Sequence, residues 1–354
     1  MTPLSKPQSD PTSIFEHFRG CYSTELLTAA VVEFGLFRRL SDRPKSLDEL
    51  RSEIGLQRRP AVVLLTALRA MGLLTTDEVG RFTLTPQSRE HLLPGAEFDV
   101  SGYISLASES PDVREMISRL KSNRPAGAEP TAPTGEQPDG PAFIFREGSA
   151  SAMDVEASAR FLTMSLAGRA KNVAPVLAER VPLDATRTLL DVGGGSGIYS
   201  MAWLRRHPQL KAIVWDRPEV LKVAREMAEQ YGVADRLECV PGDMFLDPVP
   251  AADVILLSNI LHEWDEPDCA TLVNRCAAAL PNNGRLLIHD VLLNDDHSGP
   301  LPTALYSAAL FTLTEGRAYS AREFQSWLTA AGLQLEPIVR TLVHCSVIGG
   351  LKRV

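Results

Sequence analysis

The run Leu189-Leu190-Asp191-Val192-Gly193-Gly194-Gly195-Ser196-Gly197 decides how the rest of the chain is read. An apolar stretch leads into it, and Tyr199 to Arg206 follows with helical composition. That order is a strand, a tight glycine turn and a helix start. Glycines permit positive φ and let backbone approach a ligand closely. A helix N-terminus adds free N–H donors. The stretch therefore predicts a nucleotide-type pocket at the carboxyl end of a strand, where open α/β sheets bind ligands.

The dinucleotide fingerprint G-x-G-x-x-G needs glycine at 193, 195 and 198. Position 198 is Ile198, so that reading fails. What remains is an acid, Asp191, ahead of Gly193, Gly195 and Gly197. An acid just before the turn suits a cationic ligand better than a pyrophosphate. S-adenosylmethionine, with its ammonium and sulfonium, is such a ligand. An ordinary tight turn is the bland alternative, and residues further along argue against it.

At 354 residues the chain exceeds one typical core, so two domains are expected. A hydrophobic content of 44% and a charged content of 23% are those of a soluble globular protein. The net charge of −8 argues against general binding to nucleic acid or an anionic membrane. No apolar run approaches the roughly 20 residues of a spanning helix. Met1 to Pro11 is polar and proline-bearing, without the apolar core of a signal peptide, so 1–12 reads as a disordered lead. The five cysteines are scattered without a C-x-x-C, which indicates neither a zinc site nor a disulfide framework. Reduced thiols and a cytoplasmic location are the expectation.

Residues 13–100 read as mostly helical. Leu26, Leu27, Ala30, Val31, Phe34 and Leu36-Phe37 follow helical spacing. Ser46 and Glu49 resemble a capping box, and Val63, Leu64, Ala67, Leu68 and Met71 form one apolar stripe. Leu73 to Leu84 reads as a hairpin turning at Val79-Gly80. Helices followed by a hairpin predict a winged-helix-like domain. A DNA reader is the rival reading, and Arg58, Arg59 and Arg69 lie on its third helix. That helix is otherwise too apolar for an exposed reading face. A subunit interface or lid is the preferred role. Residues 101–182 read as a helical connector, interrupted by a Pro/Gly-rich loop over 122–150, with Phe143 to Phe145 expected to dock.

From Thr186 strand and helix alternate, which predicts a mostly parallel sheet in a domain over 183–354. Strands are expected at 187–192, 211–216, 236–241, 253–258 and 284–290, then a pair near 333–340 and 342–350. Helices are expected at 197–206, 218–231, 266–280, 302–314 and 320–331.

Each strand's carboxyl end carries a polar residue. Asp216 lies one unit past the glycine turn, where a carboxylate accepts both ribose hydroxyls. Asp243 follows the third strand and is placed to accept from an adenine amine, with Met244 packing on the ring. In Leu261-His262-Glu263-Trp264-Asp265, His262 is the general-base candidate. Its unperturbed pKa near 6.5 leaves it competent near neutrality, whereas a phenol ionises near 10. Asp290 ends the fifth strand and is placed to orient His262 and stabilise its imidazolium. His289 alternates with Asp290, should face away from the pocket, and is read as structural.

Together these motifs resemble the plant-type small-molecule O-methyltransferases, the caffeic-acid and acetylserotonin group with bacterial natural-product relatives. The resemblance covers about residues 15–350 and is strongest from Leu189 to Asp290. It implies a Rossmann-like class I methyltransferase sheet of seven strands, the last antiparallel, and an N-terminal winged-helix-like domain that forms a homodimer. It implies that Gly193, Asp216, Asp243 and Met244 contact S-adenosylmethionine, that His262 is the base, and that Phe161 and Met164 lie near the acceptor. Two positions depart from the family. Ser258 stands where a lysine is frequent near the cofactor, so any contact there differs. Ala318 stands where a second acid flanks the base, and Glu315, three residues earlier, is the candidate substitute. The expected activity is methylation of a phenolic hydroxyl of a small aromatic acceptor, without metal. Carbon or nitrogen methylation, and a metabolite-sensing winged-helix regulator, are the alternatives.

Overall fold

The computed structural model describes residues 2–126, 128, 151–184 and 186–353. Most of the loop expected over 122–150, with the docking segment Phe143 to Phe145, lies outside the described residues. The chain divides into two compact units.

The first unit comprises Met1–Phe15, Arg146–Leu292 and Ala321–Val354. Its parallel strands are β3 (Thr188–Val192), β4 (Lys211–Asp216), β5 (Leu237–Pro241), β6 (Val254–Ser258) and β7 (Arg285–Leu293). β9 (Gln334–Leu335), β10 (Val339–Arg340) and β11 (Cys345–Leu351) complete it. The sheet runs β10-β11-β7-β6-β3-β4-β5, with β9 paired on β11. β11 is antiparallel to β7. From β3 the chain moves outward through β4 to β5, then returns to the other side of β3 for β6 and β7. The order therefore reverses between β3 and β6, and the carboxyl ends at such a switch are where open α/β sheets bind ligands.

Alternation and register decide what faces where. Asp191 pairs with Leu256, and Ser258 pairs with His289. One face thus carries Leu189, Asp191, Leu256, Ser258, Leu287 and His289. Leu189, Val214, Leu256 and Leu287 of that face share a core with Val173 and Leu177 of helix Glu156–Arg180, Trp203 of helix Ile198–Arg206, and Leu221 of helix Pro218–Gln230. Each such side chain contributes about 1.5–3 kcal/mol by burial. Asp290 falls on the opposite face. The lead expected to be disordered is tied down from residue 2 on. Leu4 packs on this core, Lys6 meets Glu179 at 2.6 Å, and the Thr2 carbonyl accepts from Arg205 Nε at 2.7 Å. One leucine, one lysine and one backbone carbonyl of the lead find partners that are distant in sequence, which composition alone does not reveal.

The second unit comprises Glu16–Phe145 and Leu293–Ser320. The capping box forms as read, with Ser46 Oγ accepting from the Glu49 N–H and Glu49 accepting from the Ser46 N–H. Strands β1 (Leu74–Thr76) and β2 (Phe82–Leu84) make the expected hairpin, and a short β8 (Tyr319–Ser320) lies late in the chain. The division corrects two boundaries: helix Glu156–Arg180, read from the sequence as part of the connector over 101–182, belongs to the sheet-bearing unit, and residues 293–320 leave that unit. Helix Leu301–Leu313, assigned by the sequence to the sheet-bearing domain, packs here against helix Arg58–Ala70. Its sequence is apolar nearly all round, so it needs cover on every side. Leu305, Ala308 and Phe311 enter the core of Leu64, Leu65 and Leu68.

Helix Arg58–Ala70 buries ten of its thirteen residues, which leaves no face to lay in a DNA groove. Arg59 is itself buried, with its guanidinium on Asn123 and on the carbonyls of Thr314 and Gly316. Arg69 pairs with Asp296. Among the described residues no helix is long and apolar enough to cross a membrane.

Candidate functional site

The site starts at the turn after β3. Gly193, Gly195 and Gly197 all take positive φ, and helix Ile198–Arg206 begins directly after them. A Cβ on Gly193 would lie 2.5 Å from Ile260 Cδ1 and 3.3 Å from Met244 Cε. A Cβ on Gly194 would lie 2.7 Å from Asp191 Cγ. Both positions therefore exclude any side chain.

Asp191 is 1% exposed, and its Oδ2 accepts from Ser200 Oγ at 2.8 Å. Its Oδ1 is buried without a partner among the described residues. Burial pushes this carboxyl up to about 7, and the charge of Asp216 adds to the shift. An orphaned acceptor beside a glycine cradle fits a ligand that brings N–H donors. Asp216, at the end of β4, accepts from the Gly195 N–H at 2.9 Å and the Arg217 N–H at 2.7 Å, one on each oxygen. Burial raises its carboxyl, opposed by these two donors. Each oxygen keeps a lone pair, enough for a vicinal pair of hydroxyls. Asp243 is exposed and organises its own turn, its Oδ1 accepting from the N–H groups of Phe245 and Leu246 at 2.7 and 3.2 Å. That commits one oxygen and leaves the other for a ligand. Met244 is half-buried, its methyl beside Gly193.

After β6 the backbone turns through Asn259, at φ 59°, into a short 3-10 turn over Leu261–Glu263. His262 is 5% exposed, and its Nδ1 lies 2.6 Å from Asp290 Oδ1. Asp290 is fully buried, and the same oxygen takes the Val291 N–H at 2.8 Å. With the Asp290 oxygen as acceptor of this bond and of the Val291 N–H, Nδ1 carries the proton and Nε2 is the acceptor nitrogen of the ring. That is the tautomer of a general base. Asp290 Oδ2 has no partner among the described residues. Glu263, beside His262, was not singled out from the sequence. Burial pushes its carboxyl up to about 8, with the charges of Asp216 and Asp290 adding. Its position in the Leu-His-Glu-Trp-Asp string was the only sequence signal.

Ser258 is buried at the end of β6, its Oγ 2.9 Å from His289 Nδ1. Asn259 accepts from Arg169 Nη1 at 2.8 Å, and Arg169 Nη2 lies 2.9 Å from Cys345 Sγ. Arg169 was also missed, because nothing near it in sequence marks it as inward-facing. Phe161 and Met164 lie on helix Glu156–Arg180 with 71% and 38% of their surface exposed. Glu315 belongs to the other unit, half-buried between the two residues whose carbonyls Arg59 holds. Ala318 is fully buried. Among the described residues no group of histidines, cysteines and acids is arranged to hold a metal.

Comparison with known proteins gives the family and the fold. The family model described as an O-methyltransferase domain matches residues 148–334. The chain is 34% identical to 3-hydroxy-5-methyl-1-naphthoate 3-O-methyltransferase of Streptomyces sahachiroi, over 97% of this chain and 95% of that protein. It superposes on an O-methyltransferase family 2 protein from Planctomyces limnophilus, solved in complex with apigenin, with a TM-score of 0.88 and 48% identity over 99% of each chain. Human N-acetylserotonin methyltransferase in complex with SAM shares the fold at a TM-score of 0.58 and 20% identity, over 99% of this chain and 100% of that one.

Proposed function

The chain belongs to the O-methyltransferase family and is an S-adenosylmethionine-dependent enzyme; from that premise we propose that it methylates a phenolic hydroxyl of a small aromatic acceptor, with His262 as general base. The observation that carries this reading is the buried 2.6 Å bond from His262 Nδ1–H to Asp290. When bound, S-adenosylmethionine supplies a methyl group already activated by its sulfonium. Asp191, Gly193, Gly195, Asp216, Asp243, Met244 and Ser258 form its site in this reading. His262 Nε2 removes the phenol proton as the oxygen becomes nucleophilic, and Asp290 stabilises the imidazolium that results. In this reading the residues at the glycine turn and His262 would orient donor and acceptor for the transfer.

Phe161 and Met164 border the acceptor, and Glu315 stands in for the acid missing at Ala318. The first helices with the β1–β2 hairpin form a winged-helix-like domain that dimerises. Phe18, Tyr103 and Leu106 of that unit are 81%, 79% and 77% exposed, apolar surface that a second copy would cover. The class I assignment of the sheet, whose main run holds seven strands, and a cytoplasmic location complete the reading. The decisive experiment is His262→Ala, assayed with radiolabelled S-adenosylmethionine against a panel of phenolic acceptors. Calorimetric binding of the cofactor should persist while turnover falls by about 10²–10⁴. Unchanged turnover removes the base assignment and leaves orientation-only methylation of carbon or nitrogen.

A further inference from the structure

We propose that His289 is a positioning residue that acts from within the sheet on Ser258, fixing the direction of its O–H so that Ser258 offers a ligand only an acceptor lone pair. This rests on the reading of the glycine turn as the S-adenosylmethionine site.

The argument follows one chain of hydrogen bonds. Thr341 Oγ1 donates its single proton to the Cys345 carbonyl at 3.0 Å. The 3.0 Å contact between His289 Nε2 and Thr341 Oγ1 must then be made by a proton on the ring. The imidazole is fully buried, and burial with the charge of Arg169 holds it down near 3, so it stays neutral and carries one proton only. With Nε2 protonated, Nδ1 is an acceptor. The 2.9 Å contact from Ser258 Oγ to Nδ1 therefore uses the serine proton. Asn259 Nδ2 donates to the same Oγ at 3.0 Å, which takes one of its two lone pairs. The buried Tyr199 hydroxyl also interacts with Ser258, so the remaining lone pair is shared between that hydroxyl and a ligand.

The consequence is chemical. A lysine at this place presents only protons and suits a carboxylate. Ser258, locked this way, repels a carboxylate and suits an N–H or O–H donor, such as an ammonium or a ribose hydroxyl. His289 thus sets the polarity of a residue at the carboxyl end of β6 while touching no ligand itself. Asp191 shares this face of the sheet, its partner Leu256 lying two residues before Ser258, so both acceptors lie near the carboxyl ends of neighbouring strands, as a donor-rich, cationic ligand would need.

The direct test is the tautomer of His289, read by ¹⁵N NMR of the histidine-labelled, otherwise unlabelled full chain. The expected signature is a neutral ring protonated on Nε2 across pH 5–9. A ring protonated on Nδ1, or a cation, overturns the proposal, and the measurement needs no variant. The second arm measures the dissociation constant of S-adenosylmethionine by calorimetry. His289→Phe should raise it about tenfold, the scale of one hydrogen bond, and His289→Asn, which keeps an acceptor near Nδ1, should recover most of that. In a Ser258→Ala background His289→Phe should add nothing, because its effect passes through the serine. A full additional loss in that background overturns the proposal. Absence of any cofactor binding by the wild-type chain, with the Nε2 tautomer seen, would instead remove the functional reading and leave the hydrogen-bond polarity standing.

Discussion

Replacing Asp290 by asparagine perturbs one contact with a calculable consequence. The wild-type carboxylate accepts from His262 Nδ1 at 2.6 Å and from the Val291 N–H at 2.8 Å. Asparagine keeps the volume and keeps an oxygen for Val291. It removes the charge; because a single oxygen takes both N–H groups, the amide oxygen stays at that position and the His262 tautomer is kept. For charges about 4 Å apart at an effective dielectric of about 20, the lost stabilisation of the imidazolium is about 4 kcal/mol. At about 1.4 kcal/mol per decade, turnover should fall about 10³-fold. The assay is kcat under saturating cofactor and acceptor, with cofactor affinity measured separately and expected to hold. A second acceptor sharpens the result. A phenol acidic enough to be ionised at the assay pH needs no base, so its loss should be at least tenfold smaller. Refutation is a kcat within about threefold of wild type, or an equal loss for both acceptors. The first outcome shows that Asp290 does not matter to the step, and the second that it matters only to structure.

Two further outcomes follow from the same geometry. Gly193→Ala puts a Cβ 2.5 Å from Ile260 Cδ1 at φ 61°, so it should lower stability by about 1–3 kcal/mol and abolish cofactor binding, read by thermal melting and calorimetry; a variant that binds normally contradicts the close approach. Asp191 ionises near 3.8 when unfolded and near 7 when folded, so the folded state holds the proton longer. Its contribution is present below about pH 4 and is lost as pH rises to about 7. Asp191→Asn should remove that part of the decline, and parallel wild-type and variant profiles between pH 4 and 7 would contradict the burial argument.

Some of this protein is written in short windows of its chain. The glycine turn with Asp191, the capping box at Ser46, the hairpin after Leu73 and the strand–helix alternation from Thr186 all depend on a few neighbouring residues. Their dihedral preferences and apolar periods are local, and the observed strands and helices lie within a few residues of the spans they indicated. Asp290 was legible as well, because alternation along β7 separates it from His289 and a parallel sheet gathers its strand ends.

Other features were decided only when the whole chain packed. Helix Leu301–Leu313 is apolar enough for either core, and its sequence does not say which one will accept it. Arg59 reads as a surface charge until Asn123 and the carbonyls of Thr314 and Gly316 surround it. The bond from His262 to Asp290 spans 28 residues, and that from Ser258 to His289 spans 31. Burial and charge environment set whether Asp191 and Glu263 hold their protons near neutrality, and both are properties of neighbours in space. Local propensity acts through a residue's own backbone and can be read in order; solvation and hydrogen-bond polarity act through whatever packing brings alongside, and have no address in the sequence.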